Sequence, residues 1–161
     1  WKLALKDITA LAASNPLALG VLDANARVLA ALGRGKESEA LYRGALRVYL
    51  HDRICTFGLG ELLIGEGRPE EAARLLSTYL SRNPRDAYGH RLLAQALAKL
   101  GQASASYAAL AENQYHLGQL GTAIGHLEHA QRADDGDYFL ASKINARLRV
   151  LRDEHIARRQ Q

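Results

Sequence analysis

The 161-residue sequence has no methionine, one cysteine, three prolines, two phenylalanines and one tryptophan. A lone Cys55 cannot form an internal disulfide, so nothing here reads as a disulfide framework. It packs as a small apolar residue inside a predicted helix. Aromatics make up only 6% of the chain, and no β-rich alternating run is visible. No apolar stretch approaches the roughly 18 residues needed to span a bilayer, and no run within these residues reads as a signal peptide. Catalytic signatures are missing too. There is no HExxH zinc-protease motif, no Gly-rich phosphate loop and no G-x-S-x-G elbow.

Apolar residues, by contrast, reach 48%, and alanine is abundant. Small side chains let helices approach closely, and alanine has the highest helix propensity. The formal charge of +4 is unevenly placed. Residues 138 to 161 carry Lys143, Arg147, Arg149, Arg152, Arg158 and Arg159 against Asp153 and Glu154, and the rest of the chain is balanced.

The organising signal is a spacing. Gly33, Gly67 and Gly101 stand 34 residues apart, and Gly118 follows after half that interval. Each ends an apolar-periodic run and precedes another, as expected where a helix must stop in the left-handed region. With each glycine set as position 15, Ala72 and Ser38 take the small position 20, and Leu76 and Tyr42 the large position 24. Leu59-Gly60 and Leu93-Ala94 take positions 7 and 8. Asn15-Pro16 and Asn83-Pro84 are equivalent joints two periods apart. A 34-residue unit of two helices and a turn resembles the tetratricopeptide repeat.

The fold expected is all-α, a tetratricopeptide-repeat solenoid of about nine antiparallel helices with a C-terminal capping helix. Helices are predicted over 2–13, 17–32, 37–50, 53–66, 69–82, 87–100, 104–117, 121–133 and 138–158. Asp52, Asp86, Ser104 and Asp137 are the expected caps. The whole of 1–161 reads as one domain. Residues 1–16 hold the second helix of a truncated repeat, and 17–52, 53–86 and 87–118 are repeats. Residues 104–134 are a half-shifted repeat, and 137–158 the cap. In this frame the chain is expected to be a piece of a larger protein. The half-interval at Gly118 gives the helix over 104–117 two roles, and Leu110 serves in both. The last helix places Phe139, Leu140, Ile144, Leu148 and Leu151 on the face that closes the core.

Two clusters are candidate sites. In His126-Leu127-Glu128-His129, imidazoles three apart share a helix face. The core positions there are Ala123, Leu127 and Ala130, which turns both histidines outward. No catalytic, cofactor or metal residue is therefore expected. The basic last helix has no interleaved aromatics, so nucleic acid is not the expected partner. What remains is the groove lined by the first helices of successive repeats. Its residues are Asp23 and Arg27, then Ile54, Phe57, Glu61 and Ile64, then Tyr88, Arg91, Gln95 and Lys99. A solvent-facing Phe57 and Ile64 beside charges suits a protein or extended peptide. The core of that expected site is Asp23, Arg27, Phe57, Glu61, Ile64, Tyr88, Arg91 and Gln95. The lysine and asparagine clamp of chaperone-tail binders is absent.

A narrower resemblance begins at His90. The run His90-Arg-Leu-Leu-Ala-Gln-Ala-Leu-Ala-Lys-Leu-Gly-Gln102 leads to Tyr107-Ala-Ala-Leu-Ala-Glu-Asn-Gln-Tyr115. Leu117-Gly118, Ala123-Ile124, Leu127, Ala130 and Ile144-Asn145-Ala146-Arg147-Leu148 follow. This resembles the C-terminal repeat region of periplasmic zinc metalloproteases of the beta-barrel assembly-enhancing protease family. The resemblance implies a non-catalytic docking and regulatory domain in outer-membrane protein quality control. It implies a periplasmic location and contact with outer-membrane assembly machinery and client barrels. Zinc is expected only in a protease domain outside this chain, which would make the parent a zinc metalloendopeptidase. The alternative is a free-standing repeat adaptor, for which a cytoplasmic location is open.

Overall fold

The computed structural model describes residues 6–8, 10–11, 18–133 and 135–160. The expected half-repeat over 1–16, with its Asn15-Pro16 joint, lies largely outside the described residues. Eight helices have defined bounds. They are α1 (Leu19–Ala31), α2 (Gly35–Val48), α3 (Arg53–Gly65), α4 (Pro69–Arg82), α5 (Ala87–Lys99), α6 (Ala103–His116), α7 (Leu120–Ala133) and α8 (Tyr138–Arg159). No strand occurs among the described residues, and no described helix is long and apolar enough to cross a membrane. The class is the expected all-α repeat solenoid with a terminal helix.

The spaced glycines do what their spacing predicts. Gly33, Gly67, Gly101 and Gly118 all have φ between 73° and 79°. At each, the glycine N–H bonds a carbonyl three residues back, and the next residue's N–H reaches five back. Gly33 donates to Ala30 at 2.9 Å and Arg34 to Leu29 at 2.9 Å; Gly118 donates to Tyr115 at 2.9 Å and Gln119 to Gln114 at 2.8 Å. This is the Schellman termination, which satisfies carbonyls a helix end would otherwise leave bare. Helix starts are set by aspartates. Asp52 accepts from the Cys55 N–H at 2.8 Å and Asp86 from Gly89 at 3.2 Å. Asp137 accepts from Phe139 and Leu140 at 2.9 and 3.0 Å. Ser104 is not a cap. It lies inside α6, is buried, and its hydroxyl donates to the Ala130 carbonyl at 2.8 Å.

The chain divides into two compact units at Leu75/Leu76, within α4. In the first, α1 packs on α2 and α3, and α2 on α3. Tyr42, Leu59, Leu63 and Ala72 are buried. The turn between α3 and α4 is held by a ring of charges. The Arg68 guanidinium donates to Glu39 at 2.7 and 3.1 Å and to Glu71 at 2.7 and 2.9 Å. Arg43 reaches the same two carboxylates at 2.6 and 3.2 Å. Arg68, then Arg43, hold the Glu39 carboxyl down to about 2 from an ordinary value of 4.5. A depressed carboxylate contributes stability that is complete above the unfolded value. That contribution fades as pH falls from 4.5 through about 2. Thermal melts should therefore show Glu39→Gln less stable than wild type at neutral pH, with the two converging at the acid end. Parallel acid limbs would remove Glu39 as the titrating group.

In the second unit α5 packs on α6, α6 on α7 and α7 on α8. Its core joins Ala111, Leu120, Ala123, Leu127 and Ala130 to Ile144, Leu148 and Leu151 of α8. The repeat frame names Ala123, Leu127 and Ala130 for this role. Phe139 departs from expectation: it is 69% exposed, with the Lys143 ammonium 4.2 Å from its ring centroid. It sits in the first turn of α8, before the stripe that runs from half-buried Leu140 to buried Ile144.

Candidate docking groove

In the first unit, three expected groove residues form one chain of bonds. Arg27 lies one turn after Asp23 on α1 and donates to it through Nε at 2.9 Å. Its Nη1 lies 3.0 Å from Glu61 Oε2 on α3. The Tyr42 hydroxyl on α2 donates to the other Asp23 oxygen at 2.7 Å. The bond to Asp23 raises Arg27 further. Burial, then the bond to Asp23, pushes the Tyr42 phenol far above its ordinary range. Tyr42 therefore stays a neutral donor to Asp23. The groove positions are thus pre-set before any partner arrives, which lowers the ordering cost of binding.

The repeat frame places Tyr42 in the core, and it is buried. Its polar role is not read from the sequence. The available signal is a hydroxyl at a position where the next repeat has Leu76: a buried Tyr hydroxyl needs a partner.

Phe57 is a correction. The repeat frame turns it to solvent, yet only 5% of it is exposed, and the Arg53 guanidinium lies 4.8 Å from its ring centroid. Residues 55–60 are buried without a break. A helix that is apolar nearly all round is buried nearly all round, and the segment 54–64 carries one charge, Glu61. That composition is the missed signal. Ile64 is half-buried, while Ile54 keeps 41% exposure. In the second unit, Arg91 and Gln95 are exposed and Tyr88 is half-buried. The Arg91 guanidinium covers the Tyr88 ring at 4.4 Å from its centroid.

Between α1, α2 and α3 lies a cleft of about 630 Å³, within the range of ligand clefts. Tyr42 and Gly58 contribute to its wall, with Arg27, Glu61 and Glu66 among its charged residues. The repeat frame does not foresee it.

The remaining candidate side chains are the lone cysteine and the histidine pair. Burial, then Asp52, pushes the Cys55 thiol up to about 12, so it stays protonated. His126 and His129 stack on Tyr107 at centroid distances of 6.3 and 5.3 Å. His129 is exposed, but His126 is half-buried rather than fully outward. Burial, then His129, lowers the His126 pKa. Among the described residues, no group of three or more His, Cys, Asp or Glu side chains could hold a metal.

Comparison with known proteins agrees with this architecture. A tetratricopeptide-repeat family model matches residues 29–96. Beta-barrel assembly-enhancing proteases of Escherichia coli (strain K12) and Shigella flexneri are each 32% identical over 122 residues. That match takes in 75% of this chain but 25% of each relative, so the chain spans about a quarter of their length. Among solved structures, MamA (41-end) from Desulfovibrio magneticus RS-1 superposes with a TM-score of 0.62 at 17% identity, over 95% of this chain and 86% of that one. A thermophilic TPR protein of Thermus thermophilus gives 0.55 at 21% identity, over 88% and 87%. These two similarities speak to the fold alone. The chain is a tetratricopeptide-repeat protein-interaction domain, related to the C-terminal repeat region of the beta-barrel assembly-enhancing proteases.

Proposed function

We propose that this chain is the docking and regulatory domain of a periplasmic zinc metalloprotease that serves outer-membrane protein quality control. The protease chemistry lies in a part of the parent outside this sequence. Here Asp23, Arg27, Glu61 and Ile64 of the first unit, and Tyr88, Arg91 and Gln95 of the second, each receive segments of the assembly machinery or of client barrels. The observation that carries the proposal is the 32% identity to beta-barrel assembly-enhancing proteases over three quarters of the chain. The groove adds to it, since its charges in the first unit are already fixed in place.

Nucleic acid is not the partner proposed. Much of the basic charge on α8 is answered internally. Arg147 is bidentate to Glu112 at 2.7 and 2.9 Å, and Arg152 reaches Glu128 at 2.7 Å. Arg158 is paired with Glu154. Paired arginines have little left to release counterions from phosphates.

The test is a photo-crosslinking residue at Gln95 in the full-length parent, expressed in the periplasm. Adducts with outer-membrane assembly components or unfolded barrel clients are the expected result. Adducts confined to cytoplasmic proteins, or none above those of a site on the outer face of α8, would overturn the proposal.

A further inference from the structure

We infer that the outer face of α8 pairs with α8 of a second copy of this chain, antiparallel and about a two-fold axis. The inference is independent of the docking role, since no groove residue enters it.

α8 packs on α7, with Ile144, Leu148 and Leu151 turned inward. Steps of four and three residues from Phe139 pick out Lys143, Ala146, Val150, Asp153 and Ala157, which form one stripe along a helix. Leu148 lies two residues from both Ala146 and Val150, about half a turn round, so this stripe is opposite the core. All six of its residues are exposed. Phe139 keeps 69% exposure and Val150 54%. Apolar residues aligned on one seam, rather than scattered singly, mark a contact surface.

The order of residues along the stripe names its occupant. Turned end for end about Leu148, the stripe lies on itself. Phe139 then meets Ala157, Lys143 meets Asp153, and Ala146 meets Val150. Each bulky side chain faces a small one and each cation a carboxylate, and the two-fold axis makes every contact twice. A parallel pair in register would set Lys143 on Lys143, Asp153 on Asp153 and Phe139 on Phe139, which like charge and crowding disfavour. Neighbouring charges are engaged within the chain: Arg147 is bidentate to Glu112, and Arg158 is bonded to Glu154. Arg149 meets its own copy beside the axis, where its long arm carries the charge out to solvent. The paired length is roughly 27 Å at about 1.5 Å per residue, which suits a small and reversible interface.

The test is sedimentation equilibrium of the whole chain with Lys143→Asp, Asp153→Lys and the two together. The wild type should show concentration-dependent dimers. Each single reversal should weaken them at least roughly tenfold, because it sets like charges together at both ends of the pair. The double variant, and an equimolar mixture of the two single variants, should regain the dimer, which a loss of folding could not do. Oxidative crosslinking gives the direction. Ala146→Cys mixed with Val150→Cys should form linked pairs faster than either variant alone, and Cys55 is buried and takes no part. A monomeric wild type would leave the face to another partner and overturn the inference. So would a dimer indifferent to both reversals, no recovery in the mixture, or fastest linkage of Ala146→Cys with itself.

Discussion

Gly58→Ala should destabilise the chain by about 1–3 kcal/mol, the usual cost of overpacking a close-packed site. Helix propensity alone predicts the opposite sign, since alanine exceeds glycine by about 0.5–1 kcal/mol in a helix. The difference is Tyr42. A Cβ at Gly58 would stand 2.5 Å from Cε1 of the Tyr42 ring and closer still to its Cζ and hydroxyl oxygen. The ring has little freedom to yield, because Tyr42 is 1% exposed and its hydroxyl is bonded to Asp23. The obstructing atoms are therefore part of a rigid aromatic ring rather than the free end of a flexible chain. Tyr42→Leu removes the far part of the ring and its bond to Asp23. In that background Gly58→Ala should become neutral or stabilising. Urea unfolding of the two single variants and the double variant gives the cycle. An equal cost of Gly58→Ala in both backgrounds would mean that the close approach is not its cause.

Leu127→Ala should cost more, about 2–5 kcal/mol. Leu127 is 1% exposed in α7 and belongs to the cluster that joins α7 to Ile144, Leu148 and Leu151 of α8. Shortening it removes apolar contact and leaves a cavity that the helices on either side close only in part. Leu127→Met keeps the volume and should cost less than about 1.5 kcal/mol. Thr122→Ala, at an exposed position of the same helix, serves as a control for a helix-wide effect. Hydrogen exchange supplies a second readout. If α8 closes the core, its amides should lose protection together in Leu127→Ala. Selective loss in α7 with α8 unchanged would argue against that role.

The terminal helix shows how a correct pattern can mislead at one end. Ile144, Leu148 and Leu151 are buried as their spacing requires. Phe139 is exposed, because it stands about two and a half turns before Leu148 and so on the opposite face. The serine at 104 makes a similar point. Its type suits a cap, but a buried carbonyl on α7 offered its hydroxyl another partner.

The sequence by itself determined the repeat and its punctuation. Gly33, Gly67, Gly101 and Gly118 stop helices because only a residue without a Cβ enters the left-handed region cheaply. Asp52, Asp86 and Asp137 start helices because a short carboxylate reaches the bare N–H groups of the first turn. Those are local events, decided within a few residues, so they can be read in one dimension. The repeat frame also picks out the buried small residues Ser38 and Ala72 and the buried large residues Tyr42 and Leu76. Tertiary structure decided the rest. It decided that α1 and α2 pack on α3, whereas the burial of Phe57 was already signalled by the nearly uncharged run 54–64. It set Tyr42, Asp23, Arg27 and Glu61 in one bonded chain, and it opened the cleft lined by Gly33, Gly58 and Gly65. These depend on which helices meet and on what each leaves unfilled. Side chains far apart in the sequence, such as Asp23 and Tyr42 or Arg27 and Glu61, acquire that relation only when α1, α2 and α3 pack.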